Sequence, residues 1–150
     1  MRLHKLIATA GGIGYIGRGG GTVAAAAWCL IRFFIPAIDH SHLWQVVLII
    51  LVTGAGVYSS GKVEKIWGHD SSKVVIDEVA GMMVTLLFIP ATLNNLIAGL
   101  LLFRFFDIVK PLYIRRLEVL PKGWGVMADD VLAGIYGHIV LTVLVNYKLL

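Results

Sequence analysis

The chain has 150 residues, of which 58% are hydrophobic and 15% charged, and its mean hydropathy is +0.84. These proportions exclude intrinsic disorder and argue against an ordinary soluble domain, which carries about 25% charged residues. The expectation is a membrane protein that turns its apolar excess toward lipid, with residues 1–150 forming one domain. Thirteen Lys and Arg against nine Asp and Glu give a formal charge of +4, too small and too dispersed for a nucleic-acid-binding surface.

At the N-terminus, Met1 to Lys5 followed by Leu6 to Ala10 faintly imitates a signal peptide, but the apolar run is too short and leads straight into glycines, so no cleavage is expected. Gly12 to Gly17 fits G-x-G-x-x-G, with Asp39 about where an acidic ribose ligand would follow. That motif needs a strand before it and a helix after it, and here membrane-length apolar segments follow instead. Gly17 to Thr22 reads as a flexible loop whose backbone N–H groups and Arg18 can approach a lipid phosphate.

The first apolar segment runs from Val23 to Ile38, with Arg32 inside it. It contains Cys29, the only cysteine, which excludes an intrachain disulfide. Cys29 also lacks the Cys-x5-Arg spacing of a phosphatase loop and reads as a small packed hydrophobe. Between Asp39 and Lys62 no residue carries a formal charge, and Leu43 to Tyr58 predicts a membrane-spanning helix. The uncharged stretch Val79 to Phe103 is interrupted by Pro90 and Asn94-Asn95, which predicts a helical hairpin with arms at Val74 to Ile89 and Leu96 to Val109. Val131 to Tyr147 is the last apolar segment, bringing the expected total to five helices in an all-α, multi-pass bundle.

Basic residues alternate between connections. Arg2, Lys5 and Arg18, then Lys62, Lys65 and Lys73, then Arg104, Lys110, Arg115, Arg116 and Lys122 fall on one side. The turns Asp39 to His42 and Pro90 to Asn95 contain none, so the basic side is expected to be cytoplasmic. All the acids except Asp39 gather on that basic side. The hairpin should bring Asp77 and Glu78 near Arg104, Asp107 and Lys110, and Asp129 and Asp130 are expected to open the last helix beside them.

Three polar clusters meeting at a membrane boundary suit Mg2+ and phosphate, since a hard cation prefers carboxylate oxygens while Arg and Lys neutralise phosphate charge. The scattered histidines and single cysteine suggest no soft-metal cage. Each feature also has a plainer reading. Asp129 could be an N-cap, Asp77 and Glu78 first-turn acids favoured by the helix dipole, and Arg104 and Asp107 an i, i+3 salt bridge. His69 and Asp70 are weaker candidates, and His138 reads as a packing residue.

Three blocks resemble the phosphatidylglycerophosphatase A lipid phosphatases: Val75 to Gly81, Phe103 to Pro111, and Gly123 to Gly134, preceded by Gly21-Thr22. The resemblance implies Mg2+-dependent removal of the terminal phosphate of phosphatidylglycerophosphate at the cytoplasmic face of a bacterial inner membrane. It also implies that the acidic pairs and the Arg-Asp-Lys block are central to activity. On this reading Asp77, Glu78, Asp107, Asp129 and Asp130 are metal ligands or a water-activating base, and Arg104 and Lys110 hold the substrate phosphate. The chain departs from the family where prolines often precede Gly-Thr, here Gly17 to Gly21, and where Tyr113 replaces a second proline after Lys110-Pro111. A cation transporter or a non-enzymatic membrane scaffold are the competing classes.

Overall fold

The computed structural model describes residues 1–39, 41–69 and 71–150, and among these there is no strand. Helix α1 (Arg2–Ala8) ends at a glycine-rich stretch, and the G-x-G-x-x-G segment folds as a 3-10 turn, Ile13–Ile16. Gly14 packs directly on the Lys73 carbonyl, where a Cβ would overlap backbone. The motif thus serves close packing.

Helix α2 (Gly20–Phe34) starts earlier and stops sooner than Val23 to Ile38, because Pro36 breaks it and Pro36–Asp39 forms a 3-10 turn. Helix α3 (His42–Trp67) begins where the Ser41 side chain accepts from Trp44 N–H at 3.1 Å. It runs well beyond Tyr58, since Lys62, Glu64 and Lys65 are good helix formers that extend it past the apolar stretch.

The hairpin forms from α4 (Ile76–Thr85) and α5 (Leu93–Val109). Asn94 and Asn95 lie in the first turn of α5 and not in the connection. Thr92 caps that helix, and Asn95 Nδ2 donates to the Pro90 carbonyl at 2.9 Å, latching the turn. A single turn, α6 (Ile114–Leu117), precedes α7 (Trp124–Asn146). Helix α7 starts seven residues before the predicted Val131 because Gly123, at φ +80°, serves as its N-cap. Asp129 and Asp130 therefore lie in its second turn, and Asp129 is not an N-cap.

Two of the five expected apolar helices, α3 and α7, have the length and hydropathy to cross a membrane. Only 22% and 33% of their apolar windows are buried in the protein, which a soluble core helix would not tolerate. At 15, 10 and 17 residues, α2, α4 and α5 are shorter, about 22, 15 and 26 Å.

Helix α4 is the central element, with α2, α3, α5 and α7 around it. Met82 and Leu86 of α4, Phe103 of α5 and Leu141 of α7 are fully buried together. Against α7 the helices approach to backbone contact. A Cβ on Gly134 would overlap the Gly81 carbonyl, and one on Gly81 would lie 2.7 Å from the Asp130 carbonyl. Thr85 Oγ1 donates to the Gly81 carbonyl at 3.0 Å and lies 3.3 Å from that of Gly134.

The far end of α4 is closed by Arg32. Its buried guanidinium donates to the carbonyls of Leu86 and Ile89 at 2.6 and 2.9 Å and to both Asp39 oxygens at 3.0 and 2.8 Å. This ties the turn that follows α4 to α2 and neutralises Asp39, which lies apart from the acids of the cavity.

Gly134→Ala is expected to destabilise the protein by about 1–3 kcal/mol, since the overlap is with backbone and exceeds the roughly 1 kcal/mol that alanine gains in a helix. Gly54→Ala, where a Cβ meets nothing within 4 Å, should leave thermal unfolding in detergent unchanged or raise its midpoint. Equal effects at the two positions would disprove the packing argument.

Candidate active site

Three helices deliver polar side chains to one cavity of about 220 Å³. The first turn of α4 places Asp77 and Glu78 where the helix dipole favours acids. The last turns of α5 supply Arg104 and Asp107, the residue after it is Lys110, and the second turn of α7 brings Asp129 and Asp130. The opposite wall is the Gly17–Gly21 loop with Arg18 and the start of α2, as the sequence suggested. Gly21 makes room there for the Glu78 carboxylate, which a Cβ would displace.

The five acids sort into two groups. Asp77, Glu78 and Asp130 each direct one carboxylate oxygen into a common space, all within 4.8 Å of one another. Asp77 Oδ1, Glu78 Oε2 and Asp130 Oδ2 are buried and accept no hydrogen bond among the described residues. Buried acceptors are rarely left so, and three oxygens converging on one point form the donor set of a hard divalent cation.

Asp107 and Asp129 are engaged with cations instead. Arg104 Nη1 lies 2.5 Å from Asp107 Oδ2, forming the i, i+3 bridge, and 3.9 Å from Glu78 Oε1. Arg104 Nε makes no hydrogen bond with any described residue. Lys110 adopts a left-handed conformation (φ +49°) after α5, which turns its ammonium to Asp129 at 2.7 Å and Glu118 at 2.5 Å. Burial by itself would lower the Lys110 pKa, but the hydrogen bonds it donates to Asp129 and Glu118 outweigh that and raise it, so the ammonium stays charged. The other Asp129 oxygen accepts from the Asp130 N–H at 3.0 Å.

The structure thus gathers every site residue expected from the sequence, and adds Ser71 and Ser72 on the rim and Glu118 as a Lys110 partner. The serines carry no charge or periodic signal, so only their position before the Val75–Gly81 block could have marked them. Asp70 lies outside the described residues. His69 pairs with Glu64 at 2.7 Å, and His138 packs beside the Thr85 carbonyl at 3.3 Å.

With divalent cations chelated, Asp130→Asn is expected to raise thermal stability by about 1–2 kcal/mol, because it removes a buried carboxylate repelled by its neighbours. Asp129→Asn should lower it by about 1–3 kcal/mol, because it weakens the hold on a partly buried ammonium. Unfolding midpoints of the same sign for both variants would contradict this division.

The sequence model of the phosphatidylglycerophosphatase A family matches residues 6–145. A protein of Bacteroides thetaiotaomicron, provisionally named phosphatidylinositol-3-phosphatase, is 40% identical over 149 residues, 94% of this chain and 92% of its own. Phosphatidylglycerophosphatase A of Haemophilus influenzae is 47% identical over 75 residues, 49% of this chain and 46% of its own. The Escherichia coli protein of that name is 32% identical over 120 residues, 77% of this chain and 66% of its own. No solved structure matches. Because the matched span runs from α1 into the last turn of α7 and takes in every residue lining the cavity, the chain belongs to the phosphatidylglycerophosphatase A family and is a phosphatase.

Proposed function

We propose that this phosphatase hydrolyses the terminal phosphomonoester of phosphatidylglycerophosphate to phosphatidylglycerol and phosphate, using Mg2+ held by Asp77, Glu78 and Asp130. The observation that carries this reading is the set of three convergent, unpartnered carboxylate oxygens beside Arg104. Five carboxylates line the cavity against Arg18, Arg104 and Lys110, leaving two negative charges in excess, the charge of one divalent cation. Bound there, Mg2+ would supply Lewis-acid neutralisation of the phosphoryl oxygens.

The chain's own groups do the rest. Arg104, oriented by Asp107, presents its remaining N–H donors to the phosphate. The Gly21 and Thr22 N–H groups, which have no acceptor within α2, add neutral donors at the positive end of that helix. Lys110 keeps its charge beside the cavity through Asp129. A carboxylate of the cluster takes the proton of the attacking water as the bond from phosphorus to the glycerol oxygen breaks.

In this reading α2 and the α4–α5 hairpin join α3 and α7 as about five apolar segments of one multi-pass domain in the bacterial inner membrane. The cavity faces the cytoplasm, which is supported by the lysines and arginines at the same end of the bundle. The lipid tails stay beside the apolar helices while the headgroup enters the cavity.

The relative named for phosphatidylinositol 3-phosphate favours a second substrate, also a phosphomonoester on a lipid headgroup. Phosphate release from both lipids in detergent decides between them. Faster release from phosphatidylglycerophosphate is expected, abolished by chelation, restored by Mg2+, and lowered about a hundredfold or more in Asp130→Asn with folding retained. Folded, Mg2+-supplied protein that releases phosphate only from the inositol lipid would refute the preferred substrate. Undiminished release under chelation would refute the metal.

A further inference from the structure

A cavity of about 810 Å³ is separate from the phosphatase site and shares no residue with it. It is a groove between α3 and α7. From Ile50 through Gly54 and Val57 to Gly61, its α3 wall repeats every three or four residues, so one helical face forms it, with Val131 and Trp124 of α7 opposite. Gly54 leaves the wall open, since a Cβ there meets nothing within 4 Å.

At one end the groove changes character. Lys62 and Lys65 stand one turn apart on α3, and Lys122 is brought to them because the turn before α7 packs on Gly61, where a Cβ would lie 2.5 Å from the Lys122 carbonyl. None of the three lysines forms an ion pair with any described residue. The Lys62 ammonium instead lies 5.1 Å from the Tyr58 ring centroid, and Tyr58 and Trp124 are both more than half exposed at this level. Three uncompensated cations and two amphipathic aromatics at the head of an apolar gutter are the complement of one kind of molecule, an anionic phospholipid. The α3 stretch from Ile49 to Lys65 is about 24 Å long, enough for a headgroup region and the acyl chain of one leaflet, half of a roughly 30 Å core.

We propose that this groove is a second lipid site, holding one anionic glycerophospholipid with its phosphate at Lys62, Lys65 and Lys122 and an acyl chain along α3. It is independent of the substrate assigned to the catalytic cavity. Its occupant fills the space between the two long apolar helices, which meet mainly near Gly56, Gly61 and Gly123.

Native mass spectrometry of the full chain in detergent, with dioleoyl phosphatidylserine and dioleoyl phosphatidylcholine at equal concentration, tests the site with a headgroup that is neither proposed substrate nor product. One retained phosphatidylserine per chain is expected, favoured over phosphatidylcholine by about tenfold or more. The preference should vanish in a Lys62→Gln, Lys65→Gln, Lys122→Gln variant, and retention itself should vanish in Gly54→Trp, which fills open space and leaves the packed core untouched. Equal retention of the two lipids, or phosphatidylserine retention unchanged in Gly54→Trp, would overturn the proposal. So would a wild-type dimer that Gly54→Trp dissociates, which would make a second copy the occupant.

Discussion

The backbone contact between α4 and α7 is the constraint on which everything else in the molecule depends. Gly81 and Gly134 let two helices approach until only hydrogen atoms separate their backbones, and Thr85 bridges their carbonyls. That spacing brings the first turn of α4 within reach of the second turn of α7. Asp77 and Glu78 therefore share a space with Asp130, although more than fifty residues separate them along the chain. A wider crossing would leave the same carboxylates as ordinary surface acids.

Close approach also creates an electrostatic difficulty, which the structure handles by dividing its charges. Two acids are matched to cations, Asp107 to Arg104 and Asp129 to Lys110, while Asp77, Glu78 and Asp130 each keep one buried oxygen that has no donor among the described residues. Buried like charges are unfavourable unless something positive accompanies them, so the arrangement is stable only as a host for a cation or with protons retained. A polar pocket enclosed by apolar helices strengthens every interaction made inside it.

Much of this was legible in the residues. Pro90 and Asn94-Asn95, interrupting an uncharged stretch, located the hairpin, and antiparallel pairing predicted which acids and bases would meet. The boundaries were harder. Trp124 to Ala128 continues α7 only because Gly123 caps it, and Gly-Trp-Gly carries no periodic signal of its own. Nothing in the spacing reveals the left-handed turn that carries the Lys110 ammonium to Glu118 and Asp129. Arg32 and Asp39 are only seven residues apart, yet their pairing depends on Pro36 ending α2 and on the carbonyls of a distant helix end.

Helix α4 is held at both ends, with acids at its start and the Arg32 guanidinium on the carbonyls of the turn that follows it. Its dipole is matched at each terminus, and its length is wedged against α7 without slack. Such an element cannot slide like a piston or rotate to meet a differently shaped headgroup. The adaptable parts of the cavity are its other walls, the Gly17–Gly21 loop and the Ser71–Ser72 rim, where Gly17 and Gly19 have no atom within 4 Å of a Cβ position. A rigid acidic floor beneath a replaceable wall is an architecture in which headgroup preference can change by substitution at the rim while the chemistry below stays in register.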